Sequence, residues 1–223
     1  MAHQASTTSL SISMIQTRQF PLSSQTVQRA RGRADSSLRR VQKLRGFSAA
    51  QRVLGVDPGL HITGYGVIEA QPSVTALPSW KLVEGGVLRA RATDTLPQRL
   101  QTLHDGLAEV LREHTPDIVV IEDLFSTYAH PRSALLMAHA RGVLMLAAQE
   151  AGAPVHTFTP NEVKQVVSGN GHASKSAMQN AVRQHLKLAA PPNPPDVADA
   201  LALALCFAAR WHAAQQIGEA TTI

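Results

Sequence analysis

Cysteine is nearly absent. Cys206 stands alone, so no internal disulfide can form, and the chain suits a reducing cytoplasm. Long apolar runs are missing too. The longest, roughly Val197 to Trp211, is interrupted by Asp199 and falls short of the about 20 residues a membrane span needs. No Gly-x-Ser-x-Gly elbow occurs, and no side-chain nucleophile stands out. These absences exclude a disulfide scaffold, a transmembrane helix and an elbow-type serine hydrolase.

Acid is scarce at the start of the chain. Residues 1–52 hold nine basic side chains and one acid, Asp35, a net of +8. The remaining 171 residues hold 12 basic and 15 acidic side chains, a net of −3. The whole-chain charge of +5 invites a nucleic-acid reading, but the part able to fold is mildly acidic. Any DNA contact must then come from local basic positions helped by a metal ion. The first 50 residues are rich in Ser, Thr, Gln and Arg and have no sustained apolar period. Such a segment buries too little surface to offset its ordering entropy, so residues 1–51 are expected to form a disordered basic extension. Three readings of it stay open: an organellar transit peptide, a basic arm on DNA, or a start codon placed too far upstream.

The 223 residues suit one compact domain with tails, here 52–215 with a short tail at 216–223. Arg52–Val56 reads as a strand ended by the turn Asp57-Pro58-Gly59. Thr63–Ala70 and Trp80–Leu88 read as two more, with Gly85-Gly86 a candidate bulge. Leu96–His114 has helical spacing of leucines, and Asp117–Glu122 is a continuous apolar strand. Pro131–Ala151 reads as a helix apolar almost all round, with one face for the sheet and one for a second subunit. Val155–Phe158 makes a fifth strand. Helices follow at Pro160–Val167, Ser174–Leu188 and from Pro195 to about Gln215. Three antiparallel strands followed by alternating units give an α/β fold: a mixed five-stranded sheet with helices on both faces, the ribonuclease-H-like architecture.

In that order the first and fourth strands are neighbours, so Asp57 and Glu122 leave the sheet at one edge. Asp196 and Asp199 are three residues apart and share a helix face. If the last helix crosses that edge, four carboxylates converge. Like charges in one site raise each other's pKa, and a hard divalent cation such as Mg²⁺ resolves the conflict. Two such ions about 4 Å apart can activate water and stabilise a leaving oxygen without a protein nucleophile. Each acid also has a plainer reading: a turn residue at Asp57, a solvated strand end at Glu122, first-turn acids at Asp196 and Asp199.

The segments VLGVDPGLHITGYGVIE (53–69), VIEDLF (120–125), AHARGV (138–143), VKQVV (163–167) and DVADALAL (196–203) resemble, in order, the RuvC family of bacterial Holliday-junction resolvases. The resemblance implies a homodimer that nicks two strands of like polarity at a four-way junction, leaving 5′-phosphate and 3′-hydroxyl ends. It implies that Asp57, Glu122, Asp196 and Asp199 are the catalytic, metal-holding acids, with Mg²⁺ the cofactor, Mn²⁺ a substitute and two ions per site. It implies the RuvA–RuvB branch-migration complex as partner. Phe125 matches an aromatic that stacks on unpaired bases, the alternative being a core phenylalanine. Lys164 and Lys175 match basic residues near the scissile phosphate, the alternative being ordinary surface lysines. Arg141 matches the family's Ala-Arg-Gly step, with a DNA contact and a dimer brace both open. Gly169-Asn170-Gly171 with Ser174 offers backbone donors for a phosphate contact, and His172 reads as a solvated loop residue.

Competing classes find less support. Sugar kinases and actin-like ATPases share the opening strand–turn–strand, but they need a second domain and phosphate loop that this chain has no room for. A junction-binding protein without cleavage would lack an acid, and all four are present. A related nuclease acting on RNA fits the Asp pair and Phe125 less well.

Overall fold

The computed structural model describes residues 52–71, 79–124 and 131–220. The expected extension at 1–51 and Phe125 lie outside the described residues. The elements are β1 (Arg52–Asp57), β2 (Ile62–Gln71), β3 (Ser79–Arg89), α1 (Leu96–His114), β4 (Ile118–Glu122) and α2 (Pro131–Glu150). They continue with β5 (Val155–Phe158), α3 (Pro160–Ser168), α4 (Lys175–His185) and α5 (Pro195–Ala220). The strands form one sheet ordered β3-β2-β1-β4-β5. The first three are antiparallel, and β4 and β5 run parallel to β1. This is the ribonuclease-H-like arrangement that the element order implies.

Strand alternation divides the core. Leu54, Val56, Val67, Val119 and Ile121 pack with Leu103, Leu107 and Leu111 of α1 and Leu144 of α2. Residues one step out of phase, such as Val53, Ile68 and Val120, are equally buried and face the opposite side. There α5 crosses β1 and β2, with α3 and α4 packed beside it. From Val197 to Ala208 every residue of α5 except Asp199 is buried. Burial of one leucine contributes about 1.5–3 kcal/mol, so this helix is a main element of the core. It continues through Ala220, beyond the expected end near Gln215. Among the described residues no helix is long and apolar enough to cross a membrane.

Two local expectations change. The β-bulge does not fall on Gly85-Gly86. The register slips where Val67 pairs with Glu84 and Ile68 with Leu82, which makes Val83 the extra residue. The two glycines pair regularly and serve packing instead. A Cβ on Gly85 would lie 2.8 Å from Val197 Cγ1, and one on Gly86 would lie 2.6 Å from Tyr65 Oη. The helix expected over Ser174–Leu188 is shorter. Ser174 caps it by accepting the Ala177 N–H, and Lys187, at φ 54°, stops it in the left-handed region.

α2 has two unlike flanks. Ala140, Leu144, Ala147 and Ala148 are buried, whereas Leu135 and Leu146 are 65% and 51% exposed. One flank packs into the monomer and another stays open.

Candidate active site

β1 and β4 are parallel neighbours, and their pairing ends with Val56 beside Ile121. Asp57 and Glu122 follow by one residue each, so they stand side by side at the carboxyl edge of the sheet. Asp57 is two residues beyond Gly55, and Glu122 two beyond Val120. Alternation therefore turns both acids toward the α5 side. The turn after Asp57 is closed by Thr63, which is fully buried. Its hydroxyl donates to the Gly59 carbonyl at 2.8 Å and accepts the Gly59 N–H at 3.2 Å.

Glycines decide how near α5 can come. A Cβ on Gly55 would lie 1.9 Å from the Ala200 carbonyl oxygen, and one on Gly64 would lie 2.1 Å from that of Asp196. At Gly66 it would lie 2.4 Å from Leu201 Cδ2. The helix thus rests on a strip of bare backbone, which carries its first turns over the acids of β1 and β4. These glycines were not singled out in the sequence; their spacing of two along β2 was the available signal.

The result is a cleft of about 110 Å³ lined by Asp57, Glu122 and Asp199 together with Lys164, Pro160 and Met178. Asp196 does not line it, but its charge acts on Asp57. Lys175 Nζ lies 3.0 Å from Asp199 Oδ2. Sequence elements separated by more than 130 residues therefore supply one acidic site with two lysines at it.

Its electrostatics are unfavourable without a counter-ion. Burial, followed by the charges of Glu122, Asp199 and Asp196, pushes Asp57 from 3.8 up to about 8, against the pull of Lys175. Burial and then Asp199 also raise Glu122, while Lys164 and a hydrogen bond with Asp57 act the other way. Lys175 is raised, chiefly by its hydrogen bond with Asp199. An all-carboxylate donor set that resists full ionisation fits a hard divalent cation, which takes oxygen ligands and favours the charged forms. The tightest grouping of potential ligand atoms among the described residues is a different one. Glu84, Glu113 and His114 bring one atom each within 4.8 Å of the others. Tyr65 donates to Glu84 at 2.6 Å, and His114 Nε2 lies 3.1 Å from the same carboxylate. Glu84 is thus hydrogen-bonded to Tyr65 and His114, and Glu113 and His114 lie on α1, on the other side of the sheet from α5.

The remaining candidates separate. Arg141 Nε donates to the Glu122 carbonyl at 3.0 Å, and Nη2 lies 3.2 Å from Asp123 Oδ1. His172 is partly apart from the acids: it lines a second cavity of about 360 Å³ with Asn161, Gln165 and Arg210. In the loop before Lys175 the amides of residues 169–172 are already engaged within the loop and α3. Gly169 N–H donates to the Gln165 carbonyl, Asn170 N–H to Ser168 Oγ, Gly171 N–H to Gln165 Oε1 and His172 N–H to Asn170 Oδ1. Burial pushes the Cys206 thiol up to about 12, so it is no nucleophile.

The family model described as Crossover junction endodeoxyribonuclease RuvC matches residues 53–207. The chain belongs to the RuvC family. RuvC of Rhodopirellula baltica is 49% identical over 158 residues, covering 71% of this chain and 86% of that protein. RuvC of Corynebacterium glutamicum is 43% identical over 162 residues, covering 73% and 70%. The structure of Thermus thermophilus RuvC aligns at 33% identity with a TM-score of 0.66, covering 74% of this chain and 97% of that one. A second structure is T. thermophilus RuvC in complex with a Holliday junction substrate, at 33% identity and a TM-score of 0.67, covering 74% and 96%. The RuvC match includes the positions of all four acids, both lysines and Arg141, and leaves residues 1–52 outside it.

Proposed function

We propose that this chain resolves four-way DNA junctions by divalent-metal-dependent hydrolysis, nicking two strands of like polarity and leaving 5′-phosphate and 3′-hydroxyl ends. The observation that carries the reading is the convergence of Asp57, Glu122 and Asp199 in one cleft of a RuvC-family fold. Asp57, Glu122, Asp196 and Asp199 would hold Mg²⁺, two ions per site, with Mn²⁺ a working substitute. When bound, the ions supply water activation and stabilisation of developing phosphate charge. Lys164 and Lys175 add positive charge at the same opening, where a phosphate must enter a mildly acidic domain. Lys175, now paired with Asp199 at 3.0 Å, would be placed to contact a phosphate oxygen with the carboxylates of the site holding metal. Phe125 follows Glu122 by three residues and stacks on an unpaired base of the junction.

One site cuts one strand, so paired nicks require two copies of the chain. A homodimer joined through the open flank of α2, where Leu135 and Leu146 are exposed, meets that need. The RuvA–RuvB complex is the proposed partner, and the cytoplasm the proposed location.

Incubation of the purified protein with a synthetic four-way junction and Mg²⁺ tests the reading. Symmetric, ligatable nicks are expected, and Asp57→Asn or Glu122→Gln should abolish them while junction binding persists. Cleavage of linear duplex at an equal rate would sink the junction-specific claim.

A further inference from the structure

Glu122 is the last residue of β4, and its backbone is held from the opposite face of the sheet. Arg141, in the middle of α2, donates through Nε to the Glu122 carbonyl at 3.0 Å. Its Nη2 pairs with Asp123 Oδ1 at 3.2 Å, and that oxygen also accepts the Leu124 N–H at 3.0 Å. Asp123 N–H in turn donates to the Phe158 carbonyl of β5 at 2.9 Å. The strand exit is therefore tied on both sides: to β5 through the ladder and to α2 through one guanidinium.

We infer that Arg141 is a positioning residue: it fixes the peptide after Glu122 and thereby the carboxylate that the proposed metal site depends on. The side chain is 18% exposed, and its Nε and Nη2 are engaged inside the subunit. It does not line the cleft, so it acts on Glu122 through the backbone and not through charge on the carboxylate. Without Arg141 the peptide between Glu122 and Asp123 keeps its bond from the Asp123 N–H to β5 but loses its restraint on the α2 side, so the strand end that carries the Glu122 side chain is held less tightly at the mouth of the cleft. The planar fork meets the carbonyl and the carboxylate through two nitrogens held in fixed geometry; a lysine ammonium keeps the charge but loses that geometry. Of the two roles open from the sequence, DNA contact and dimer brace, neither accounts for the bonds that Nε and Nη2 make inside the subunit.

This inference rests on the proposed nuclease reading, and its test separates the two. Arg141→Gln, Arg141→Lys and Asp123→Asn are compared with the wild-type chain in three measurements: junction affinity, nicking rate against Mg²⁺ concentration, and Mn²⁺ affinity by calorimetry. The Mn²⁺ signal assigned to the site is the part that Asp57→Asn removes. Positioning predicts Mn²⁺ affinity weakened by about 10-fold or more in both Arg141 variants, a similar rise in the Mg²⁺ needed for half-maximal rate, and junction affinity within about two-fold of wild type. Lysine should not rescue. Asp123→Asn should move the same quantities in the same direction, and it serves if Arg141→Gln does not fold. Loss of junction affinity with lysine rescue and unchanged Mn²⁺ binding would overturn the inference in favour of a phosphate contact. Lowered thermal stability with unchanged metal affinity would overturn it in favour of a purely structural bond. Wild-type protein that binds Mn²⁺ at the site yet never nicks a junction would defeat the nuclease reading and leave the positioning result standing.

Discussion

Gly55 lies directly beneath the backbone of Ala200: a Cβ on the glycine would sit 1.9 Å from that carbonyl oxygen and 3.0 Å from the Ala204 amide nitrogen. The neighbour is helix backbone, not a side chain that can swing away. α5 must lift off β1 to admit one methyl group.

Gly55→Ala is therefore expected to lower unfolding stability by about 3 kcal/mol or more, at or above the upper end for overpacking. Urea denaturation reads this as a lower midpoint. Nicking should fall further than the folded fraction does, because Asp196 and Asp199 ride on the displaced helix. An unchanged midpoint would show that α5 does not rest on this strand.

Asp57 makes stability depend on pH in the direction opposite to an ordinary aspartate. Its pKa is 3.8 when unfolded and about 8 in the metal-free fold. Between about pH 4 and pH 8 the folded state holds the proton and the unfolded chain does not, so stability falls as pH rises through that window. Asp57→Asn removes the effect. Without metal, the variant should be more stable than wild type at pH 8, on the order of a few kcal/mol, and the difference should shrink toward pH 4. Urea titrations with chelator at both pH values check this; parallel pH profiles for the two proteins would contradict it. Metal must displace the same proton, so Mg²⁺ binding at pH 7 should release about one proton, read from calorimetry in buffers of different ionisation heat.

Lys175 is held by Asp199 at 3.0 Å, while Lys164 lines the cleft and acts on Glu122. Replacing either by methionine keeps the aliphatic stem and removes the charge. Each change should reduce single-turnover nicking on the order of 10²-fold with junction affinity changed far less. A lysine that serves only to bind phosphate would show the reverse split, with weakened affinity and an intact rate for the bound junction.

The acids were legible because two periodicities and one strand order suffice to place them. Asp57 and Glu122 end adjacent parallel strands, and Asp196 and Asp199 share a helix face. What could not be read was distance. Nothing in the acid pattern says that α5 approaches within backbone contact; that depends on side chains missing at Gly55, Gly64 and Gly66. The bulge lies at Val83 and not at the glycine pair for a related reason. Gly85 and Gly86 marked close packing against Val197 and Tyr65, not an irregular strand. The loop at 169–172 looked like a set of free donors because side-chain acceptors such as Gln165 Oε1 are invisible to local sequence reasoning. Arg141 stayed ambiguous since its partner, a main-chain carbonyl across the fold, leaves no mark in residue type.

Thr63 gives the most discriminating conservative substitution. It is fully buried, and its hydroxyl meets both the N–H and the carbonyl of Gly59, two residues past Asp57. Valine fills the same volume but leaves both Gly59 groups without that partner, at a cost of about 1–3 kcal/mol. Thr63→Val should lower the urea midpoint, loosen the turn that aims Asp57, and reduce the nicking rate more than junction affinity. Serine keeps the hydroxyl and loses only a buried methyl, so Thr63→Ser should recover most of the rate while still costing about 1 kcal/mol of stability. If valine and serine lower the rate equally, the methyl's packing holds the turn and the paired hydrogen bonds do not.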